Sequence, residues 1–139
     1  MKTAGYSRTP LAKKLGIKKG FKIRLVNPPD NYFKLFIDFP PETYNLTDIQ
    51  IKKDFIHYFA KSSIDLNNDI KQLSQEIAQN GMIWISWPKK SSKVATDLDG
   101  NIVREIGLKT GLVDIKVCAV DDIWSGLKFV IPLKDRKKQ

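Results

Sequence analysis

Phe55-Ile56-His57-Tyr58-Phe59-Ala60 is an unbroken apolar and aromatic run that opens into Lys61-Ser62-Ser63, and its reading decides the fold. A run this short, without apolar–polar alternation, suits a strand covered on both faces. Leu66, Ile70, Leu73 and Ile77 then recur at i, i+4, i+7 and i+11, one stripe of a helix. Ser63 or Asp65 can cap its start, and Asn80-Gly81 suits its C-terminal stop. Met82-Ile83-Trp84-Ile85-Ser86-Trp87 is a second covered strand, ended by Pro88.

Upstream, Pro10 opens a short helix over Leu11 to Leu15, with Ser7 or Thr9 as cap and Gly16 as stop. Phe21 to Val26 alternates as a half-buried strand and ends at Asn27-Pro28-Pro29. Residues 30 to 53 read as irregular, apart from an aromatic turn at Tyr32, Phe33 and Phe36 before Pro40-Pro41. Downstream, a polar loop over 88 to 98 leads to a helix from about Asn101 to Lys109, closed by Gly111. Val113 to Val120 and Leu127 to Leu133 are strands whose connection is too short for a crossover helix, so they pair antiparallel. Pro132 lacks a donor and places the last strand at a sheet edge. The expected fold is α/β: a mostly parallel sheet of about five strands with an antiparallel C-terminal edge hairpin, and helices on both faces.

One domain over residues 1–139 fits a chain of this size. Its net charge of +9 is unevenly placed. Residues 1 to 29 hold eight Lys or Arg and no acid, residues 30 to 133 hold twelve bases against fourteen acids, and residues 134 to 139 hold four bases and one acid. The body is therefore nearly neutral, between a basic arm with its short helix over 1–20 and a basic tail over 134–139. A basic arm can bind nucleic acid through counterion release, or serve only to solubilise. The longest apolar runs fall well below the ~20 residues of a membrane helix. With no apolar leader and one unpaired cysteine, Cys118, the expectation is a cytoplasmic protein with no membrane partner.

In an open parallel sheet, ligands bind beyond the carboxyl ends of the strands. That rule selects Asn27-Pro28-Pro29, Lys61-Ser62-Ser63, Trp87-Pro88-Lys89-Lys90 and Asp121-Asp122. Lys61, Ser62 and Ser63 precede the clearest helix, where an anion would meet its positive end, although the serines also read as caps. Trp87 with Lys89 and Lys90 suggests an aromatic platform beside cations, against the plainer reading of a buried ring and a solvated loop. Asp121 with Trp124 completes the candidate ligand-binding set, Asp121 and Asp122 also reading as turn formers. His57, the only histidine, reads as a satisfied core residue, and Cys118 as an inert buried thiol. No catalytic residue, metal site or cofactor is called for: phosphate-binding and dinucleotide glycine motifs are absent from the sequence.

Three stretches form a set: Gly5-Tyr6-Ser7-Arg8-Thr9-Pro10-Leu11-Ala12-Lys13-Lys14-Leu15-Gly16; Trp84-Ile85-Ser86-Trp87-Pro88-Lys89-Lys90; and Gly111 to Asp121 with Trp124-Ser125-Gly126-Leu127-Lys128-Phe129. Together they resemble a small bacterial family catalogued only as a domain of unknown function. The resemblance implies a bacterial cytoplasmic protein of one domain and carries over no catalytic residue. Asp114 within the third stretch needs a partner if buried, and Lys116 or Lys128 is the expected one.

The functional expectation is a binding module for a phosphate-bearing ligand, nucleic acid or a nucleotide-like metabolite, at the Lys61, Trp87, Lys89 and Lys90 rim. The alternatives are a protein-interaction or homo-oligomeric domain pairing through the C-terminal edge strand, and an enzyme at the same rim with Asp121 as base.

Overall fold

A computed structural model describes residues 9–137. Six strands form one sheet: β1 (Lys22–Val26), β2 (Tyr44–Asn45), β3 (Lys53–Phe59), β4 (Ile77–Pro88), β5 (Val113–Ala119) and β6 (Trp124–Val130). Their order is β2-β1-β3-β4-β6-β5, with β1 to β4 mutually parallel and β6 antiparallel to both neighbours. The fold is thus α/β, mostly parallel with an antiparallel C-terminal pair.

Helices α2 (Ser63–Glu76) and α3 (Gly100–Lys109) cover one face. Their Leu66, Ile70, Leu73, Val103 and Ile106 pack on Ile56, Tyr58, Ile83, Ile85 and Phe129. Helix α1 (Leu11–Leu15) and a 3-10 turn at Tyr32–Leu35 cover the other, where Leu15, Ile17, Tyr32 and Phe36 meet Phe55, Phe59, Trp84 and Trp124. Strands β3 and β4 lose alternation because successive side chains enter two separate cores. Each fully buried Leu or Ile contributes ~1.5–3 kcal/mol to this arrangement.

The structure corrects several expectations. Ile77 does not extend α2. The helix stops at Glu76, whose carboxylate turns inward to Lys53 and Arg24, and Ile77 opens β4 opposite Lys53. Gly81 is no helix stop either. A Cβ there would lie 2.8 Å from the Lys53 carbonyl, so glycine permits the close approach of β4 to the irregular start of β3.

Strand β6 is not an edge. It begins at Trp124 and lies between β4 and β5, because Trp124, Leu127 and Phe129 have apolar partners on both faces. Pro132 falls beyond its end and constrains no ladder. The edges are β2 and β5, so self-association through the C-terminal strand β6 has no free strand to use. Residues 30 to 53 supply the 3-10 turn and the two-residue β2, which raises the count to six strands. Pro10 is the N-cap of α1 and makes no side-chain cap bond; the proposed cap Ser7 lies outside the described residues.

Candidate functional site

The carboxyl ends of β1, β3 and β4 and the β5–β6 connection meet on one rim: β1, β3 and β4 run parallel, and Pro88 pairs with Trp124. The chain leaves β1 towards β2 on one side and resumes on the other side at β3. The gap between β1 and β3 is therefore the switch point at which open α/β sheets form their ligand crevice.

Beside that switch point, the segment after β1 folds back onto the face of β3. After β1, Asn27 adopts a left-handed φ of 55°, Pro28 and Pro29 follow, and Pro29 accepts from the Tyr32 N–H. Tyr32 turns its ring into the sheet, edge-on to His57 and Phe59 with centroids 5.4 and 5.7 Å away. Its hydroxyl lies 3.0 Å from His57 Nδ1, and His57 Nε2 lies 2.8 Å from Ser86 Oγ. Trp124 closes the far side, edge-on to Phe59 at 5.0 Å. Burial pushes the His57 imidazole down to about 3 and the Tyr32 phenol well above its ordinary range. The histidine is neutral at pH 7 and both ring nitrogens are hydrogen-bonded, so the chain Tyr32–His57–Ser86 is a core network.

The rim residues chosen from the sequence are occupied by local structure. Ser62 is the N-cap of α2, accepting from the Asp65 N–H at 3.3 Å. Ser63 donates its N–H and hydroxyl to the Asp97 carboxylate at 2.8 and 2.7 Å, so the anion at this helix end is the chain's own. Those hydrogen bonds hold Asp97 below the usual carboxylate range. The Lys61 carbonyl accepts from Thr96, while its side chain is exposed. Lys89 spans to the Asp121 carbonyl at 2.6 Å, and Lys90 begins an exposed 3-10 turn. Asp121 accepts from the N–H groups of Ile123 and Trp124 at 2.8 and 2.7 Å, a turn-forming carboxylate.

Trp87 is buried in the α2–α3 core, with Gly100 of α3 close against its ring, and Trp124 is buried in the opposite core. Neither ring offers a stacking platform. The rim therefore gathers Lys61, Ser63, Lys89 and Asp121 but separates the two tryptophans. Sequence reasoning missed Tyr32 and Asp97. Only the density of aromatics at Tyr32, Phe33 and Phe36 hinted at the first, and nothing local marked the second.

Elsewhere, Glu76 accepts from Lys53 Nζ at 2.8 Å and from Arg24 at 2.6 Å. Burial alone would raise this carboxyl, but hydrogen bonds from Lys53, Arg24 and Gln72 outweigh it and hold the group below its usual range. Asp114 pairs with Arg104 of α3 at 2.9 Å, not with Lys116 or Lys128. Two surface depressions, of about 350 and 790 Å³, lie beside α1 and beneath the start of β4, away from the switch point. No helix of the described residues is long and apolar enough to cross a membrane.

A six-stranded sheet of this order, with β6 inserted antiparallel, places the chain in a Rossmann-like class. Its solved structural neighbours include several methyltransferases, a fibrillarin pre-rRNA processing protein and a pericyclic reaction enzyme. A putative type 11 methyltransferase from Sulfolobus solfataricus superposes with a TM-score of 0.62 at 15% identity, over 93% of this chain and 94% of that one. A TehB-like SAM-dependent methyltransferase from Corynebacterium glutamicum gives 0.55 at 11% identity, over 88% and 85%. Magnesium protoporphyrin IX methyltransferase from Synechocystis, with bound SAM, gives 0.55 at 10% identity, over 88% and 74%; with bound SAH, this chain spans only 53% of it. No protein-family model and no curated protein matches the chain. The neighbours overturn the expectation of a phosphate-binding module: the chain shares its fold with solved methyltransferases, and its α2 N-terminus is already filled by Asp97.

Proposed function

We propose that this chain is a methyltransferase-fold domain that has closed its cofactor crevice with its own side chains and works without methyl transfer from SAM. The observation that carries this reading is Tyr32, buried at the switch point on His57 and Phe59.

A nucleoside cofactor at that place needs open space and backbone donors, which a glycine-rich turn leading into a helix supplies. Here the turn after β1 is Asn27-Pro28-Pro29, and both prolines lack an N–H. A four-residue 3-10 turn replaces the following helix, so its dipole is small. Asp48, about twenty residues after β1, stands where a ribose-binding acid would be sought, but its carboxylate already accepts from the Gln50 N–H. These residues do not fit SAM. Its setting is cytoplasmic, in keeping with a single, unpaired cysteine.

Titration calorimetry and thermal unfolding with SAM and SAH test this. The expected result is no heat of binding and no rise in Tm at millimolar ligand. A ligand at a hundred times its Kd adds about 2.7 kcal/mol, a shift of several degrees in a chain of this size. A saturable rise of that kind, or transfer of a labelled methyl group to any acceptor, overturns the proposal.

A further inference from the structure

The sheet ends in β5, which has a strand beside it on one side only. On the α1 face of this edge, Lys116 stands directly opposite Lys128, and Lys128 stands opposite the buried Trp84. Helix α1 brings a third lysine: Lys14 Nζ donates to the Ala119 carbonyl at 3.4 Å, and the Lys14 carbonyl accepts from Lys116 Nζ at 3.0 Å. Lys18 acts on Lys128 as well; burial, with Lys116 and Lys18 nearby, pulls the Lys128 pKa down. Like charges facing each other across a strand pair are destabilising, and a half-buried cation among others calls for a counter-charge.

The sequence supplies an acid two residues away, yet the fold sends it elsewhere. The β5–β6 register shifts between Asp114 and Lys116, so Asp114 pairs with Phe129 on the α3 face and takes Arg104 as its partner. Among the described residues, no carboxylate lies within ion-pair distance of Lys18, Lys116 or Lys128. Beside Lys116 on the edge, Ile115 and Val117 are 55% and 64% exposed.

We propose that β5 is a docking edge for an acidic, apolar-alternating segment of a partner protein, added to the sheet as a further strand. Backbone groups of the segment pair with β5, its carboxylates meet the lysine cluster, and its apolar side chains cover Ile115 and Val117. A second copy of this chain is disfavoured, because edge-to-edge pairing sets one lysine cluster against another. Nucleic acid is disfavoured because the exposed side chains between the cations are aliphatic and offer no stacking platform. The edge lies three strands from the β1–β3 crevice, so the inference stands independently of the cofactor reading.

The test is fluorescence anisotropy with three labelled probes at low ionic strength: an octapeptide alternating Glu and Val, its Lys and Val counterpart, and a thymidine oligonucleotide. The Glu–Val peptide is expected to bind, to weaken roughly tenfold towards physiological salt, and to shift the backbone amide resonances of residues 115–119. Lys116→Glu and Lys18→Glu, both at exposed positions and checked for folding by circular dichroism, should each weaken it by roughly tenfold. Failure of the Glu–Val peptide to bind, equal binding by the Lys–Val peptide, undiminished binding by both folded variants, or amide shifts away from β5 overturns the proposal. So does tighter binding of the oligonucleotide at the same amides, or dimerisation through β5.

Discussion

The Tyr32 hydroxyl sits 3.0 Å from His57 Nδ1, joining the segment after β1 to the centre of β3 across a fully buried contact. Tyr32→Phe keeps the ring and removes that oxygen, leaving a buried ring nitrogen without a partner. The expected cost is about 1–3 kcal/mol, read as a lower urea midpoint with an unchanged m-value. Tyr32→Ala also opens a cavity and should cost about 3–5 kcal/mol.

His57 makes stability fall with acid. Its folded pKa, about 3, lies below the unfolded value of 6.5, so its contribution is complete above pH 6.5 and is lost as pH falls towards 3. Between pH 7 and 5, before most carboxylates titrate, stability should drop by about 2 kcal/mol. His57 is the only histidine, so the folded variant His57→Phe should flatten that part of the profile. An unchanged slope in the variant would assign the dependence to other groups.

Among the described residues, Glu76 is the one acid paired with both Lys53 and Arg24, and Lys53 is fully buried. Glu76→Gln removes the charge and should destabilise by about 3–5 kcal/mol in chemical denaturation. The double variant Lys53→Met with Glu76→Leu removes the buried pair together and should recover most of that loss.

Gly107 in α3 lies against Phe129 of β6, where an added Cβ would come within 2.1 Å of the ring. Phe129 is fully buried and cannot swing away. Gly107→Ala should therefore destabilise by about 1–3 kcal/mol, despite alanine's better helix propensity. A neutral or stabilising effect in thermal unfolding would show that α3 shifts without cost.

Much of the fold was legible in order along the chain. The stripe Leu66, Ile70, Leu73 and the run Phe55 to Ala60 specify a helix and a doubly covered strand, because their periodicity records burial residue by residue. Residues 30 to 53 were not legible. Tyr32 is held by His57, Phe36 and Phe59 and not by any local repeat, and β2 is only two residues long. Of the rim, the loops were placed correctly by the strand-end rule, but their side chains were not. Asp97 reaches Ser63 across thirty-four positions, and the Lys89 ammonium reaches the Asp121 carbonyl across thirty-two.

By itself the sequence determined the element types, the strand–helix–strand centre and the concentration of positive charge at the two ends, all set by local pattern and composition. Tertiary structure alone decided that β6 enters between β4 and β5, that the register shift turns Asp114 away from Lys116, and that Tyr32 packs onto His57. The reason is that a local pattern states how deeply a face is buried but not which distant face covers it. That choice is made by competition among all the apolar surfaces and unpaired polar groups of the folded chain.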